Sequence, residues 1–182
     1  MPKDQQRKAR IVLVLGAARS GKSTYAQRLA EMRWRRPLYL ATAEALDEEM
    51  AERIKNHKRQ RGRHWSCIEE PQDLARAIAA AAPRRDGVLI DCVTLWLSNV
   101  LLKEGVAAVK RRQRQLLEAL RSARHDVILV SNEVGMGVVP DSALGRQFRD
   151  LQGWLNQDLA TAADTVVFVV AGLPMAIKGQ KP

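Results

Sequence analysis

The chain has 182 residues, 46% of them hydrophobic, which predicts one folded domain with a substantial core and excludes a disordered chain. No apolar stretch approaches the roughly 18–20 residues that span a bilayer, and the polar, basic start is not a secretory signal. The net charge of +10 is compatible with nucleic acid or with small anionic substrates. Because single-strand binders stack bases on aromatic rings and only 4% of the residues are aromatic, nucleic acid is not the expected partner.

The cysteines and the start of the chain give two further expectations. Cys67 and Cys92 do not have a metal-ligand spacing, so we expect reduced thiols and a cytoplasmic location. Residues 1–10 are polar and basic and are predicted to form a flexible extension. Residues 11–182 are predicted to form a single domain.

A complete phosphate-binding loop, G-x-x-x-x-G-K-[ST], occupies residues 16–23. It follows an apolar run that is predicted to be a buried strand and precedes a predicted helix, which is the context that the motif requires. Its backbone N–H groups can surround a polyphosphate, Lys22 can reach the β and γ phosphates, and Ser23 can ligate Mg²⁺. The motif therefore predicts a nucleotide site formed by Gly16, Ala17, Ala18, Arg19, Ser20, Gly21, Lys22 and Ser23. A chance turn is the alternative.

Along the chain, apolar runs alternate with helical patterns. The runs predict strands at Ile11–Leu15, Leu38–Leu40, Val88–Ile90, Val127–Val130 and Val166–Val170. Helices are predicted at Ser23–Met32, Asp47–Arg61, Pro71–Ala82, Leu95–Leu102, Val106–Arg124 and Ser142–Ala162. The last helix has a cap residue at Asp141 and an apolar stripe at Leu144, Phe148, Leu151, Leu155 and Leu159. Apolar strands separated by helices predict an α/β P-loop NTPase fold, mainly a parallel sheet with helices on both faces.

Three predicted strands end in polar residues, at the sheet edge where ligands of α/β proteins bind. Asp91 follows Val88–Ile90 and is interpreted as an Mg²⁺ contact, with capping of a helix near Thr94 as the alternative. Glu133 lies in the Gly-rich segment Ser131–Gly137 and can be a general base, a second metal contact or a polar loop residue. The segment Tyr39–Glu44 can line a base or ribose pocket, although its residue types alone are weak evidence.

His57 is the candidate nucleophile. It falls seven residues after Met50 on one face of the predicted helix Asp47–Arg61, where a lone histidine is more often structural. Its neighbours are cationic, however, and they disfavour an imidazolium and can bind a polyphosphate: Arg53, Lys58, Arg59 and Arg61. A neutral histidine beside an anion-binding cluster can attack phosphorus. His64 and His125 lack that setting and are interpreted as structural or exposed.

These residues together resemble the bifunctional adenosylcobinamide kinase / adenosylcobinamide-phosphate guanylyltransferase family of cobalamin biosynthesis. The resemblance runs from about Ile11 to Lys178 and is most specific at Asn132–Pro140, a segment that a generic P-loop kinase would not carry. The other matching stretches are Gly16–Ser23, Tyr39–Glu44, Leu46–Met50, Arg53-Ile54, His57-Lys58, His64-Trp65, Asp91-Cys92 with Thr94, Arg146–Asn156 and Ala171–Lys178.

The resemblance implies two reactions. ATP or GTP phosphorylates adenosylcobinamide, and GTP then guanylylates a histidine, matched here by His57, before GMP passes to the substrate phosphate. The implied nucleotide contacts are Gly16–Ser23, Thr42, Ala43, Glu44, Lys58, Arg59, Gln60, Arg61, Glu69 and Asp91. A sheet related to recombinase-type ATPase domains and a homotrimer are also implied.

Two other functions fit parts of the sequence. One is a single-activity P-loop kinase of a small molecule, in which His57 is structural. The other is a recombinase-like ATPase stimulated by nucleic acid, which only the net charge of +10 favours.

Overall fold

The computed structural model describes residues 8–44, 48, 52, 62, 64–81 and 85–180. Within this part of the chain, a seven-stranded sheet has the order β3-β2-β4-β5-β1-β6-β7. The strands are β1 (Ile11–Gly16), β2 (Pro37–Ala41), β3 (Ser66–Glu69), β4 (Gly87–Asp91), β5 (Asp126–Asn132), β6 (Thr165–Val170) and β7 (Leu173–Lys178). The helices are α1 (Lys22–Arg33), α2 (Leu74–Ala81), α3 (Val93–Glu104), α4 (Val106–Ser122) and α5 (Ala143–Ala162). Of the predicted helix Asp47–Arg61, only Glu48 and Glu52 are among the described residues.

The sheet is parallel except for β7, which runs antiparallel to β6. Alternate residues of β1 point to opposite faces. Ile11 and Leu13 join a core formed with α2 to α5, whereas Val12 and Val14 join a core formed with α1. Because both faces are covered, the central strands are apolar throughout, and the predicted mainly parallel sheet with helices on both faces is confirmed.

Two strands were missed by sequence reasoning, and both lie at the edges of the sheet. The side chains of both strands are mostly exposed. Strand β3 is too short and polar to stand out as an apolar run, and the apolar run of β7 contains a proline, which does not favour a strand. Pro174 lies within β7, as edge strands allow because an edge residue need not donate to the ladder. The prediction of five strands is therefore wrong, because the sheet of the described residues also contains these two edge strands.

The starts of two helices, α2 and α5, differ from the predictions. At each of them a side chain accepts hydrogen bonds from backbone N–H groups. Helix α2 begins at Leu74 rather than Pro71, since the Glu70 carboxylate accepts from the N–H groups of Gln72 and Asp73 in a turn before it. Helix α5 is capped by Ser142, whose hydroxyl accepts from the Gly145 N–H at 3.0 Å, and not by Asp141.

The predicted apolar stripe of α5 is buried only in its second half. Leu151, Leu155 and Leu159 are buried and Phe148 is half-buried, but Leu144 is 51% exposed. The first turn of α5 therefore does not contribute to the core.

Residues 8–10 are attached to the sheet. Ala9 is buried, the Arg10 N–H donates to Asp126 Oδ1 at 2.9 Å, and the Arg10 carbonyl accepts from the Val127 N–H at 2.9 Å. The division into an extension at 1–10 and a domain at 11–182 stays a prediction.

Candidate active site

The phosphate loop joins β1 to α1, as predicted, and its two glycines are required by its geometry. A Cβ atom on Gly16 would lie 2.4 Å from Ser20 Oγ and 2.7 Å from the Val169 carbonyl oxygen. Gly21 precedes α1 with φ 92°, in the left-handed region that favours glycine. The Ser20 N–H donates to the Ala17 carbonyl at 3.2 Å, which closes the loop on itself.

Lys22 is held inside this loop. Lys22 is only 8% exposed, and its Nζ donates to the Ala17 carbonyl at 3.1 Å. The Ser20 hydroxyl is buried without a hydrogen-bond partner in the described structure, so the loop interior holds a polar group that a ligand oxygen can satisfy. Ala17, Ala18 and Arg19 are exposed. The loop therefore forms an anion site with an exposed backbone and with one nearly buried ammonium group in its interior.

Asp91, at the carboxyl end of β4, faces the phosphate loop. Its Oδ1 accepts from the Ser23 hydroxyl at 3.3 Å, and its Oδ2 accepts from the Tyr39 hydroxyl at 3.0 Å. The capping alternative does not describe this structure, because α3 begins at Val93 with Cys92 as its N-cap residue and without a side-chain cap bond. The Tyr39 contact was missed by sequence reasoning, although Tyr39, which lies within β2, is the first residue of the predicted pocket segment Tyr39–Glu44.

Thr42 fastens the end of β2 to the end of β4. Its hydroxyl donates to the Cys92 carbonyl at 2.7 Å and accepts from the Cys92 N–H at 2.9 Å, and the residue is fully buried. Ala43 is half-buried beside it. Glu44 forms an ion pair with Lys103 of α3 at 2.6 Å. Contacts that do not need a ligand therefore hold Thr42 next to Asp91 and hold Glu44 against the end of α3.

Glu69 lies at the same sheet edge but farther from the phosphate loop. It is the last residue of β3, and it is exposed and opposite Ala41 of β2. Because β3 is four strand positions from β1, the two strand ends are separated by about 19 Å at the usual strand spacing. A contact from Glu69 would thus fall on a part of the ligand far from the loop-bound phosphates.

The candidate nucleophile His57 and the neighbouring Lys58, Arg59, Gln60 and Arg61 lie outside the described residues. The chain that follows them packs beside the site. Trp65 Nε1 donates to Glu31 of α1 at 3.0 Å, and its ring lies edge-on against Tyr39 with centroids 6.2 Å apart. His64 is exposed, with its ring 6.1 Å from Trp65, whereas His125 is buried. Both agree with their interpretation as structural or exposed residues.

Glu133 organises its own loop. Its carboxylate accepts from the Gly135 N–H at 2.8 Å and from the Met136 N–H at 3.1 Å. The Glu133 N–H donates to the Gly16 carbonyl at 3.1 Å, which joins this loop to the phosphate loop. Among the three interpretations of Glu133, its contacts correspond to a polar loop residue that holds the segment after β5 against the nucleotide site.

A buried polar network below that segment was also missed by sequence reasoning. Ser131 Oγ lies 2.7 Å from Asn156 Oδ1 and accepts from Gln152 Nε2 at 3.0 Å. Asn156 Nδ2 donates to the Asn132 carbonyl at 3.1 Å, and Thr94 Oγ1 accepts from the Asn132 N–H at 2.8 Å. Helix α5 and the start of α3 therefore fix the backbone from which Glu133 extends.

Cys92 follows Asp91 at the candidate site, but its thiol is not reactive near pH 7. Burial, together with the charge of Asp91, raises the pKa of its thiol to about 11. The thiol is neutral near pH 7, so it is a poor nucleophile.

A phosphate loop between a strand and a helix, with a hydroxyl and a carboxylate paired at a neighbouring strand end, defines a P-loop nucleotide-binding protein. None of the helices in the described ranges has the length and apolarity to cross a membrane.

A family model described as "Cobinamide kinase / cobinamide phosphate guanyltransferase" matches residues 12–177. The chain belongs to this family and is accordingly a transferase with kinase and guanylyltransferase activities.

Curated relatives agree with the family. The chain is 45% identical over 168 residues to the "Bifunctional adenosylcobalamin biosynthesis protein CobP" of Pseudomonas aeruginosa, covering 92% of this chain and 97% of the relative. It is 40% identical over 181 residues to the "Bifunctional adenosylcobalamin biosynthesis protein CobU" of Escherichia coli K12, and equally so to that of Salmonella typhimurium. Each of these alignments covers 92% of this chain and 99% of the relative.

Proposed function

We propose that this chain phosphorylates the terminal hydroxyl of adenosylcobinamide with ATP or GTP and then converts the product to adenosylcobinamide-GDP with GTP, releasing pyrophosphate. The observation that carries the proposal is a complete phosphate loop facing Asp91 in a chain of a family that combines a kinase with a guanylyltransferase. ATP, GTP, adenosylcobinamide and its phosphate are the proposed substrates.

The kinase step is a direct transfer. The substrate hydroxyl oxygen attacks the γ-phosphorus, the bond to the β-phosphate oxygen breaks, and the hydroxyl proton leaves to water. The protein therefore has to position the phosphates and stabilise their charge, which are the tasks of the loop N–H groups and of Lys22. The nearly buried ammonium of Lys22 supports this role because it is already directed at the loop interior.

The guanylyltransferase step uses His57 as nucleophile. An imidazole nitrogen attacks the α-phosphorus of GTP and expels pyrophosphate, and an oxygen of adenosylcobinamide phosphate then attacks the same phosphorus and releases the histidine. Lys58, Arg59, Gln60 and Arg61 bind the nucleotide beside it. The described chain after this segment supports the assignment, since Trp65, eight residues after His57, packs on Tyr39, whose hydroxyl donates to Asp91.

Ser23 and Asp91 are the proposed Mg²⁺ contacts. A hydroxyl and a carboxylate already lie 3.3 Å apart beside the phosphate loop, and both supply the oxygen ligands that Mg²⁺ prefers. When bound there with substrate phosphates, the ion would neutralise phosphate charge in both reactions.

Asp91→Asn is expected to lower turnover at millimolar Mg²⁺ by roughly a hundredfold while leaving the folded state intact, because it removes charge from the proposed metal contact. The amide oxygen can still accept from one of the two hydroxyls, Ser23 or Tyr39, and the amide N–H group can donate to the oxygen of the other, so the thermal midpoint should change little. Calorimetry and initial rates at increasing Mg²⁺ measure the two effects. A collapse of thermal stability with full activity in the remaining folded protein would contradict the metal role.

The reaction itself is tested with GTP labelled at its α-phosphate. An acid-labile, base-stable label on the protein is expected, since a phosphoramidate has that stability. A single-activity kinase would leave the protein unlabelled, and ATP hydrolysis stimulated by nucleic acid would favour a recombinase-like ATPase.

A homotrimer is proposed as the assembly. Leu173, Met175 and Ile177 recur at every second residue of edge strand β7 and are each more than half exposed, which supports contact with a second copy of the chain. Light scattering coupled to size exclusion should give three times the monomer mass, and a monomer at micromolar concentration would contradict the trimer.

We also propose that the enzyme works in the cytoplasm. ATP and GTP are available in that compartment, and both cysteines are free thiols, one of them exposed.

A further inference from the structure

A second cleft lies at the edge of the sheet where the parallel strands begin, opposite the phosphate loop. It has a volume of about 630 Å³ and lies between the residues before β1, the connection into β4 and the turn from α4 to β5. Strand β1 has six residues, so its first residue, which follows the lining of this amino-edge cleft, is about 17 Å from Gly16 of the phosphate loop. The two sites therefore do not share residues.

The amino-edge cleft carries an unbalanced positive charge. Arg85, Arg121 and Arg124 line it, and none of their guanidinium groups has a hydrogen bond or ion pair with another described residue. With Lys8, which pairs with Asp164 at 3.6 Å, four basic side chains line the cleft against two carboxylates. Of these carboxylates, Asp86 accepts from Arg36 at 3.1 Å and Asp126 accepts from the Arg10 N–H at 2.9 Å. Three guanidinium groups are thus available for a ligand.

Helix capping does not account for these arginines. Three carbonyl groups in the last turns of α4 are already bonded, since the Ser122 hydroxyl donates to the carbonyls of Glu118 and Ala119 and the Ala123 N–H donates to Leu120. The helix dipole favours a cation at this end, but Arg85 comes from a different connection, before β4. The convergence of cations from two segments is therefore a property of the cleft.

The lining indicates the chemical class of ligand. Guanidinium groups bind phosphate oxygens in a bidentate manner, and the volume lies within the range of small-molecule sites. The described lining contains no phenylalanine, tyrosine or tryptophan on which a base could stack. Its one imidazole, His125, is 6% exposed, and neither ring nitrogen has a hydrogen-bond partner in the described structure.

We propose that the amino-edge cleft binds a compact oligophosphate, of which pyrophosphate and tripolyphosphate are the simplest members. Arg85, Arg121 and Arg124 bind its oxygens from two sides. Pyrophosphate is also the leaving group of a guanylyltransferase, so a protein with this cleft can bind its own product away from the phosphate loop. The proposed binding does not depend on which residue is guanylylated.

The test is a calorimetric titration of the protein with pyrophosphate, repeated with tripolyphosphate, at constant excess Mg²⁺. The phosphate loop is first saturated with α,β-methylene GTP, which cannot release pyrophosphate. One pyrophosphate per chain is expected to bind under these conditions. The triple variant Arg85→Ala/Arg121→Ala/Arg124→Ala should weaken it by at least about tenfold, since three charge-assisted hydrogen-bonding groups are lost.

A control variant removes the same charge elsewhere. Arg28, Lys110 and Arg114 are exposed on α1 and α4 and do not line the cleft, so their joint replacement by alanine should change the affinity less than about twofold. Both variants must bind the GTP analogue as the wild type does. If the triple variant of the cleft arginines is poorly folded, the variant Arg121→Gln/Arg124→Gln takes its place, because it replaces only exposed side chains. Equal weakening in both triple variants, or no binding once the phosphate loop is occupied, would overturn the proposal.

Discussion

Replacement of His57 by alanine is expected to remove covalent GMP from the protein, by roughly a thousandfold or more, while phosphorylation of adenosylcobinamide stays measurable. The kinase step passes phosphate directly from donor to hydroxyl and needs no protein nucleophile. The guanylyl step needs a neutral imidazole to attack the α-phosphorus. Labelling with GTP that carries its label at the α-phosphate measures the first activity, and formation of adenosylcobinamide phosphate measures the second.

The matched control is His64→Ala. His64 is exposed and lies seven residues from His57, so it shares the region of the chain but not the proposed role. Its variant should keep the label, and mass spectrometry should locate GMP on His57. Persistence of the label on His57→Ala protein, or its location on another residue, would refute the proposed nucleophile.

Lys22→Met is expected to lower both activities by roughly a hundredfold to a thousandfold, because one phosphate loop is proposed to serve both nucleotides. Its ammonium lies within the loop and close to the Ala17 carbonyl, where the polyphosphate of either nucleotide would bind. Methionine keeps most of the length of the side chain and removes its charge. Initial rates of phosphorylation and of guanylyl transfer, measured on one preparation, give both effects.

Lys110→Met serves as the control for loss of one charge, since Lys110 is exposed on α4. It should leave both rates within about twofold of the wild type. Full guanylyl transfer by Lys22→Met protein together with a lost kinase activity would mean that the chain has a second nucleotide site, and the proposal of one shared loop would be wrong.

The arrangement at Asp91 supports the proposal that the two reactions share one site. Ser23 comes from the loop, Tyr39 from β2 and Asp91 from β4, and their hydrogen bonds join all three at the carboxyl edge of the sheet. The Glu133 N–H adds the loop after β5 through the Gly16 carbonyl. Four segments that are far apart in the sequence therefore surround the place where the phosphates of a nucleotide would bind.

The phosphate loop, the central strands and the helical stripes could be predicted from the sequence because each depends on residues that are close along the chain. The loop needs glycine where the backbone is crowded or left-handed, and Gly16 and Gly21 are placed accordingly. Strands covered on both faces, such as β1 and β5, need apolar residues at every position, which a single sequence displays directly.

Tertiary structure alone decided the features that depend on partners distant in sequence. Strands β3 and β7 form because each pairs with a neighbour at an edge of the sheet, β3 with β2 and β7 with β6. Their own exposed side chains do not favour a strand strongly enough to predict one. Whether Asp91 caps a helix or faces the phosphate loop depended on Tyr39 and Ser23, which lie 52 and 68 residues away. The arginines of the amino-edge cleft come together because the sheet aligns the starts of its parallel strands. Local sequence thus determines what a segment can become, whereas the pairing of strands determines which side chains meet, since a hydrogen bond or an ion pair needs both partners in place.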